Sequence, residues 1–123
     1  MVQQDVLDEI ESDRLAVYAV WEPILKTDDE PSSRKAVILL PGKRVKHYWV
    51  HNQDVGELFQ PAIDLAGEPA WDVYLVYEPG VKWTDDAPPK PGYFMHQLRG
   101  RLPDGRVLHG PMLRRQIEKR LDL

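Results

Sequence analysis

A chain of 123 residues with 29% charged and 42% hydrophobic side chains has ordinary globular composition, is long enough to bury a core without covalent staples, and predicts one domain spanning residues 1–123. It has no cysteine, which excludes disulfides, thiolate metal sites, iron–sulfur clusters and thiol redox chemistry within this chain. The formal net charge of -4 argues against nucleic acid, whose affinity for proteins comes mainly from basic groups, and no apolar run approaches the roughly 18 residues of a membrane span.

The first residues, Met1 to Glu11, are acidic where a secretory leader would be basic and then apolar, so the expected location is the cytoplasm. Within Asp5 to Asp13, Val6, Leu7 and Ile10 recur at helical spacing among acids, the pattern of a short amphipathic helix or a frayed terminus. Leu15 to Trp21 carries apolar residues on both parities and reads as a buried strand ended by Pro23. Thr27 to Pro31 offers a capping oxygen, acids and a first-turn proline, which predicts a helix from Pro31 to Leu39 stopped by Pro41-Gly42. The competing reading is a hairpin from Ala36 to Leu40 into Arg44 to Val50, because Val-Ile-Leu-Leu is too short to show its period. A helix would supply the crossover that parallel neighbours need.

Arg44 to Val50 has the β-branched and aromatic content of a strand, and its polarity places it near an edge. In the next helix, capped by Asn52 or Asp54, Val55, Leu58, Phe59, Ala62, Leu65 and Ala66 share a face that Gly67 closes, and Pro61 should kink or split it. Trp71, Val73, Leu75 and Tyr77 on one parity, with Tyr74 and Val76 on the other, predict a central strand covered on both sides and flanked by Leu15 to Trp21. Gly80 to Gly92 has no periodic pattern and reads as a loop. Tyr93 to Arg101 and Arg106 to His109 flank Pro103-Asp104-Gly105, a turn signal for an antiparallel hairpin. Gly110-Pro111 opens a last helix in which Leu113, Ile117 and Leu121 recur every fourth residue.

The order strand, helix, strand, helix, strand, antiparallel hairpin and closing helix resembles the thioredoxin-like fold. Several segments also resemble a group of bacterial thioredoxin-like proteins: Val-Tyr-Ala-Val-Trp-Glu-Pro-Ile-Leu from Val17, Arg-Val-Lys-His-Tyr-Trp from Arg44, Ala-Trp-Asp-Val-Tyr-Leu-Val-Tyr from Ala70 and Phe-Met-His-Gln-Leu from Phe94. The resemblance implies a three-layer α/β sandwich with a mixed sheet and a C-terminal antiparallel hairpin plus helix. Two departures qualify it. Members that retain redox motifs carry Cys-x-x-Cys upstream of the first matched strand, where this chain has only an acidic stretch, and Val50 stands where the pattern has Asp. Without a thiolate there is no thiol–disulfide exchange, so the resemblance implies a non-catalytic binding or accessory role, with no cofactor.

Other readings come from the residues themselves. A carboxylate at Asp72, within a strand expected to be buried, must be hydrogen-bonded or have its pKa raised. With His47 and His96 it forms the best catalytic or ligand-binding candidate, although a structural role for all three is the plainer reading. The four histidines, His47, His51, His96 and His109, show no metal-ligand spacing, and no metal is expected. Arg99, Arg101, Arg106, Arg114, Arg115, Lys119 and Arg120 crowd the C-terminal part, a solvated basic face or an anionic-ligand site. Trp83, in the loop, is the aromatic expected to be exposed and to anchor a protein partner or self-association. Pro88-Pro89-Lys90-Pro91 either stiffens that loop or docks as polyproline.

Overall fold

The computed structural model describes residues 2–22, 40–65, 67–83 and 87–122. The chain has mixed helix and strand content with small sheets and divides into two compact units, one of Met1–Gln53 with Gly110–Leu123 and one of Asp54–His109. The helix expected over Pro31 to Leu39, its hairpin alternative up to Leu39, and the Asp85-Asp86 pair lie outside the described residues.

The first unit opens with a helical turn, Gln3–Leu7, closed by a bond from the Asp8 amide to the Gln3 carbonyl. It is shorter than the Asp5 to Asp13 pattern suggests, yet Val6, Leu7 and Ile10 are all buried, as their spacing requires. The turn stops where Arg44 intervenes: its guanidinium donates to the carbonyls of Leu7 and Ser12, satisfying backbone acceptors that a longer helix would have used. Strands β1 (Val17–Trp21) and β2 (Val45–Trp49) pair in parallel, Val17 opposite Val45 and Trp21 opposite Trp49. The closing helix α2 (Gly110–Leu121) buries Leu113, Ile117 and Leu121, the predicted stripe, and packs on the Gln3–Leu7 turn. Its last carbonyls are met by Arg14, whose guanidinium donates to the Leu121 oxygen.

The expectation that Leu15 to Trp21 is covered on both faces is not met. Exposure alternates along β1 and β2: Tyr18 (61%), Val20 and Tyr48 (50%) stand in solvent. The parity pattern misled because tyrosine is amphipathic and a wet face can hold it. Tyr18 and Tyr48 lie 6.5 Å apart, and the Lys46 ammonium sits 5.9 Å from the Tyr18 ring centre, contacts that stabilise neighbouring strands without burial.

In the second unit, α1 (Asp54–Phe59) gives way to a 3-10 turn, Pro61–Ile63, so Pro61 does split the helix. The break changes the facing of residues on its two sides: Ala62 and Leu65 are buried, whereas Leu58, placed on the same stripe by periodicity, is exposed. The Ala70 amide then donates to the Gly56 carbonyl, drawing the chain back along α1. Strands β3 (Val73–Val76) and β4 (Tyr93–His96) pair antiparallel, Val73 opposite His96 and Val76 opposite Tyr93. Ile63, Leu65, Ala70, Leu98 and Leu102 form the core, with Phe59, Trp71, Val73, Leu75 and Phe94 packed against it.

Two further expectations fail here. Trp71 to Tyr77 is not a strand covered on both faces: β3 keeps only four residues, each half-buried, and its ladder partner is β4 rather than Leu15 to Trp21. Asp72 explains the shorter strand. Its backbone is left-handed (φ 49°), a conformation an extended strand cannot contain but that Asp tolerates better than most residues. The second failure is the hairpin over Tyr93 to His109. β4 pairs with β3 instead, Asp104–Arg106 forms a 3-10 turn, and beyond it an isolated parallel bridge joins His96 and Val107.

Candidate partner-binding surface

The second unit is organised around a buried histidine. His96 ends β4 with a side chain 0% exposed. Its Nδ1 accepts the Leu98 amide at 3.0 Å, and its Nε2 faces the Pro103 carbonyl at 2.8 Å. Because a carbonyl can only accept, Nε2 carries the proton and Nδ1 is bare, the neutral tautomer with both nitrogens satisfied. The ring pins both ends of a turn from Gln97 to Pro103. Within that turn the amides of Arg101 and Leu102 donate to the Leu98 carbonyl, Gly100 takes a left-handed φ of 81°, and Leu98 and Leu102 are buried. Arg99 and Arg101 project from it, both exposed.

Arg101 is held by Glu68, its Nε 3.1 Å from Oε2. The other Glu68 oxygen, Oε1, is shielded from water and without a partner. Gln60, in turn, donates to the Glu68 carbonyl, tying the Gly67 turn (φ 85°) to the end of α1. The remaining arginines of the basic C-terminal part are largely engaged inside the molecule. Arg106 lies 4.5 Å from the Phe94 ring centre and 5.3 Å from that of Tyr93, while donating to the Phe94 carbonyl. Arg114 pairs with Glu9 and Glu118, and Arg120 binds the Gln116 carbonyl and side chain. Arg106, Arg114 and Arg120 are thus committed to contacts within their own units.

Trp83 is 48% exposed, as expected for the loop. It is not loose, however, because Phe59 meets it edge-to-face with centroids 5.7 Å apart and rings at 84°. Val81 and Leu58 are exposed on the same two segments. The proline run nearby is used internally: Pro88 is buried and the Pro89 carbonyl accepts the Tyr77 hydroxyl at 2.8 Å. That fits a stiffened loop rather than a docking peptide.

Asp72 sits just before β3, where its carbonyl accepts the Gln97 amide at 2.9 Å. Partial burial raises its pKa above the ordinary aspartate value, although the residue keeps substantial solvent exposure. Burial also raises Tyr74, with the nearby Asp72 charge adding to it, while the Tyr74 hydroxyl donates to Gln97 at 2.7 Å. Tyr77 is raised by burial alone.

His47 belongs to the first unit and is bonded much as His96 is. Trp21 Nε1 donates to its Nδ1 at 3.0 Å, the two rings nearly coplanar at 8°, and its Nε2 donates to the Leu40 carbonyl at 3.1 Å. Trp49 likewise donates to His51 Nδ1 at 3.2 Å. The trio of Asp72, His47 and His96 thus contains two histidines whose ring nitrogens are already bonded and an exposed aspartate whose backbone carbonyl accepts the Gln97 amide. The ring nitrogens of the two histidines are occupied by contacts within the chain, whereas the Asp72 carboxylate faces solvent. Among the described residues no three His, Asp or Glu side chains gather as metal ligands, and no helix is long and apolar enough to cross a membrane.

Three features of this surface escaped the reading of residues: the pin formed by His96, the brace from Phe59 to Trp83 and the hold of Glu68 on Arg101. The distance along the chain hides the last two, and a lone histidine before Gln-Leu carries no local signal. No protein-family model, curated protein or solved structure matches the chain.

Proposed function

We propose that this chain is a non-catalytic binding or accessory protein, akin to a redox-inactive, thioredoxin-like protein without cysteines, which engages an apolar segment of a protein partner through Trp83. The observation that carries the reading is Trp83 itself: half-exposed, yet already set in place by Phe59. An aromatic anchor held before binding loses little freedom on association, and such residues supply most of the energy of protein interfaces. Lys82 beside it and the exposed Leu58 and Val81 supply a mixed rim and apolar surround.

The thioredoxin-like kinship draws support from element order. The parallel pairing of the first two strands and the closing helix are compatible with it, whereas the expected C-terminal hairpin is not formed. The absent cysteines remove the redox chemistry, and the bonded nitrogens of His47 and His96 weigh against a pocket enzyme built on them and Asp72.

The test compares proteins retained from the source cell by the wild-type chain and by Trp83→Ala, with light scattering on both to score self-association. Trp83→Ala should lose a specific retained protein while keeping its unfolding midpoint. An identical retained set would refute the anchor. A metabolite or metal that raises the midpoint of the wild type but not of Asp72→Asn or His96→Ala would replace the binding-module reading with the pocket reading.

A further inference from the structure

We propose that the Gln97 to Pro103 turn is a preformed recognition element for the carboxylates of an acidic peptide segment, with Arg99 and Arg101 making the contacts. The inference stands apart from Trp83 and needs no thioredoxin-like kinship.

Three observations lead to it. The turn is held in one shape: both its ends are bonded to the buried His96 ring, two of its amides share the Leu98 carbonyl, and Leu98 and Leu102 anchor it in the core. Arginines displayed on so constrained a backbone lose little backbone freedom when they bind. Next, Arg101 is held rather than consumed. Glu68 engages its Nε while the side chain stays half-exposed, and the guanidinium carries two further nitrogens able to donate. Those two nitrogens form the fork that grips a carboxylate through two parallel hydrogen bonds. Finally, Arg99, two residues away across the left-handed Gly100, has no side-chain partner among the described residues, in contrast with Arg106, Arg114 and Arg120.

The same features select among anions. A nucleic acid strand presents a continuous row of phosphates and rewards many cationic contacts, whereas this turn offers two guanidiniums with Glu68 between them and the core, on a chain whose net charge is -4. Spaced single carboxylates, such as those of consecutive Glu or Asp side chains, fit two separate forks and avoid Glu68.

The experiment titrates fluorescein-labelled hexaglutamate with the full chain and follows anisotropy at low and at physiological salt. Arg99→Ala/Arg101→Ala should weaken binding about tenfold, the loss expected for two exposed charge-assisted contacts. Arg115→Ala, which removes an exposed charge from α2, should leave it within about twofold. Glu68→Gln keeps an acceptor for Arg101 but removes the competing charge, so it should tighten binding. Unfolding midpoints on all variants establish that each is folded. Inorganic phosphate and an oligothymidylate of matched charge serve as competitors and should displace the peptide less well than unlabelled hexaglutamate. No binding by the wild type, an equal loss in Arg115→Ala, or tighter binding of the oligothymidylate would each overturn the proposal.

Discussion

Gly110→Ala tests the packing of the first unit where α2 meets the Gln3–Leu7 turn. A Cβ built on Gly110 lies 2.5 Å from both the Cβ and Oδ2 of Asp5 and 2.9 Å from its Cγ. Carbon atoms in contact prefer about 3.5–4.0 Å, so the helix α2 and the Gln3–Leu7 turn would have to separate by roughly 1 Å. Rotating the Asp5 side chain cannot help, because its Cβ is fixed to the backbone of that turn. Such overpacking typically costs about 1–3 kcal/mol. The opposing gain from replacing glycine, mostly through a less disordered unfolded chain, is about 0.4–1 kcal/mol. The clash wins, and a net loss near 1–2 kcal/mol should lower the thermal midpoint by about 3–10 °C for a chain of this size. Circular dichroism on the melt and in urea reads the change. Asp5→Gly removes the obstructing Cβ, so the double variant should be more stable than the two separate losses add up to, with a coupling of about 1 kcal/mol or more. Asp5→Asn keeps Cβ and Cγ and should not rescue. A midpoint for Gly110→Ala at or above the wild type, or simple additivity with Asp5→Gly, would refute the close approach of turn and helix.

His96→Ala should destabilise by about 3 kcal/mol or more, because it opens a cavity and strands both the Leu98 amide and the Pro103 carbonyl; urea denaturation measures it, and a loss below about 1 kcal/mol would mean that the ring does not pin the turn. Asp72→Asn should be neutral or stabilising at pH 7, since Asn accepts the left-handed backbone and carries no charge to desolvate. The sign follows from linkage: a carboxyl whose folded pKa is raised contributes stability that is fully present below its unfolded value and lost as pH rises through the folded one. The wild-type midpoint should therefore fall relative to Asp72→Asn as pH rises through the carboxylate range, and a difference of opposite slope in paired melts would contradict the shielding of this group.

The part of the binding surface that could be read from residues alone was the identity of its outward groups. Trp83 stood in a segment without period, and Arg99 and Arg101 flanked a glycine, both reasons to expect exposure. Their bracing depends on residues far away in sequence: Phe59 for Trp83 and Glu68 for Arg101. The same separation explains why the sequence left a catalytic role for the histidines open beside the structural one. A ring's hydrogen-bond partners are invisible until the chain folds, and those of His96 include a carbonyl beyond the next turn while those of His47 include the indole of Trp21, a strand away.

Local periodicity alone determined the closing helix with its Leu113, Ile117 and Leu121 stripe, the break at Pro61 and the places of the first two strands, because each depends on neighbours within a turn or on the geometry of one ring. Composition alone determined that no thiol chemistry resides in this chain. Tertiary structure decided which strand joins which, and which aromatic residues stay wet. An apolar residue on either parity satisfies a covered strand and a tyrosine-lined open one equally well, and one left-handed aspartate, Asp72, was enough to shorten β3. Pairing between distant segments rests on the sum of their contacts across space, and no single stretch of sequence contains that sum.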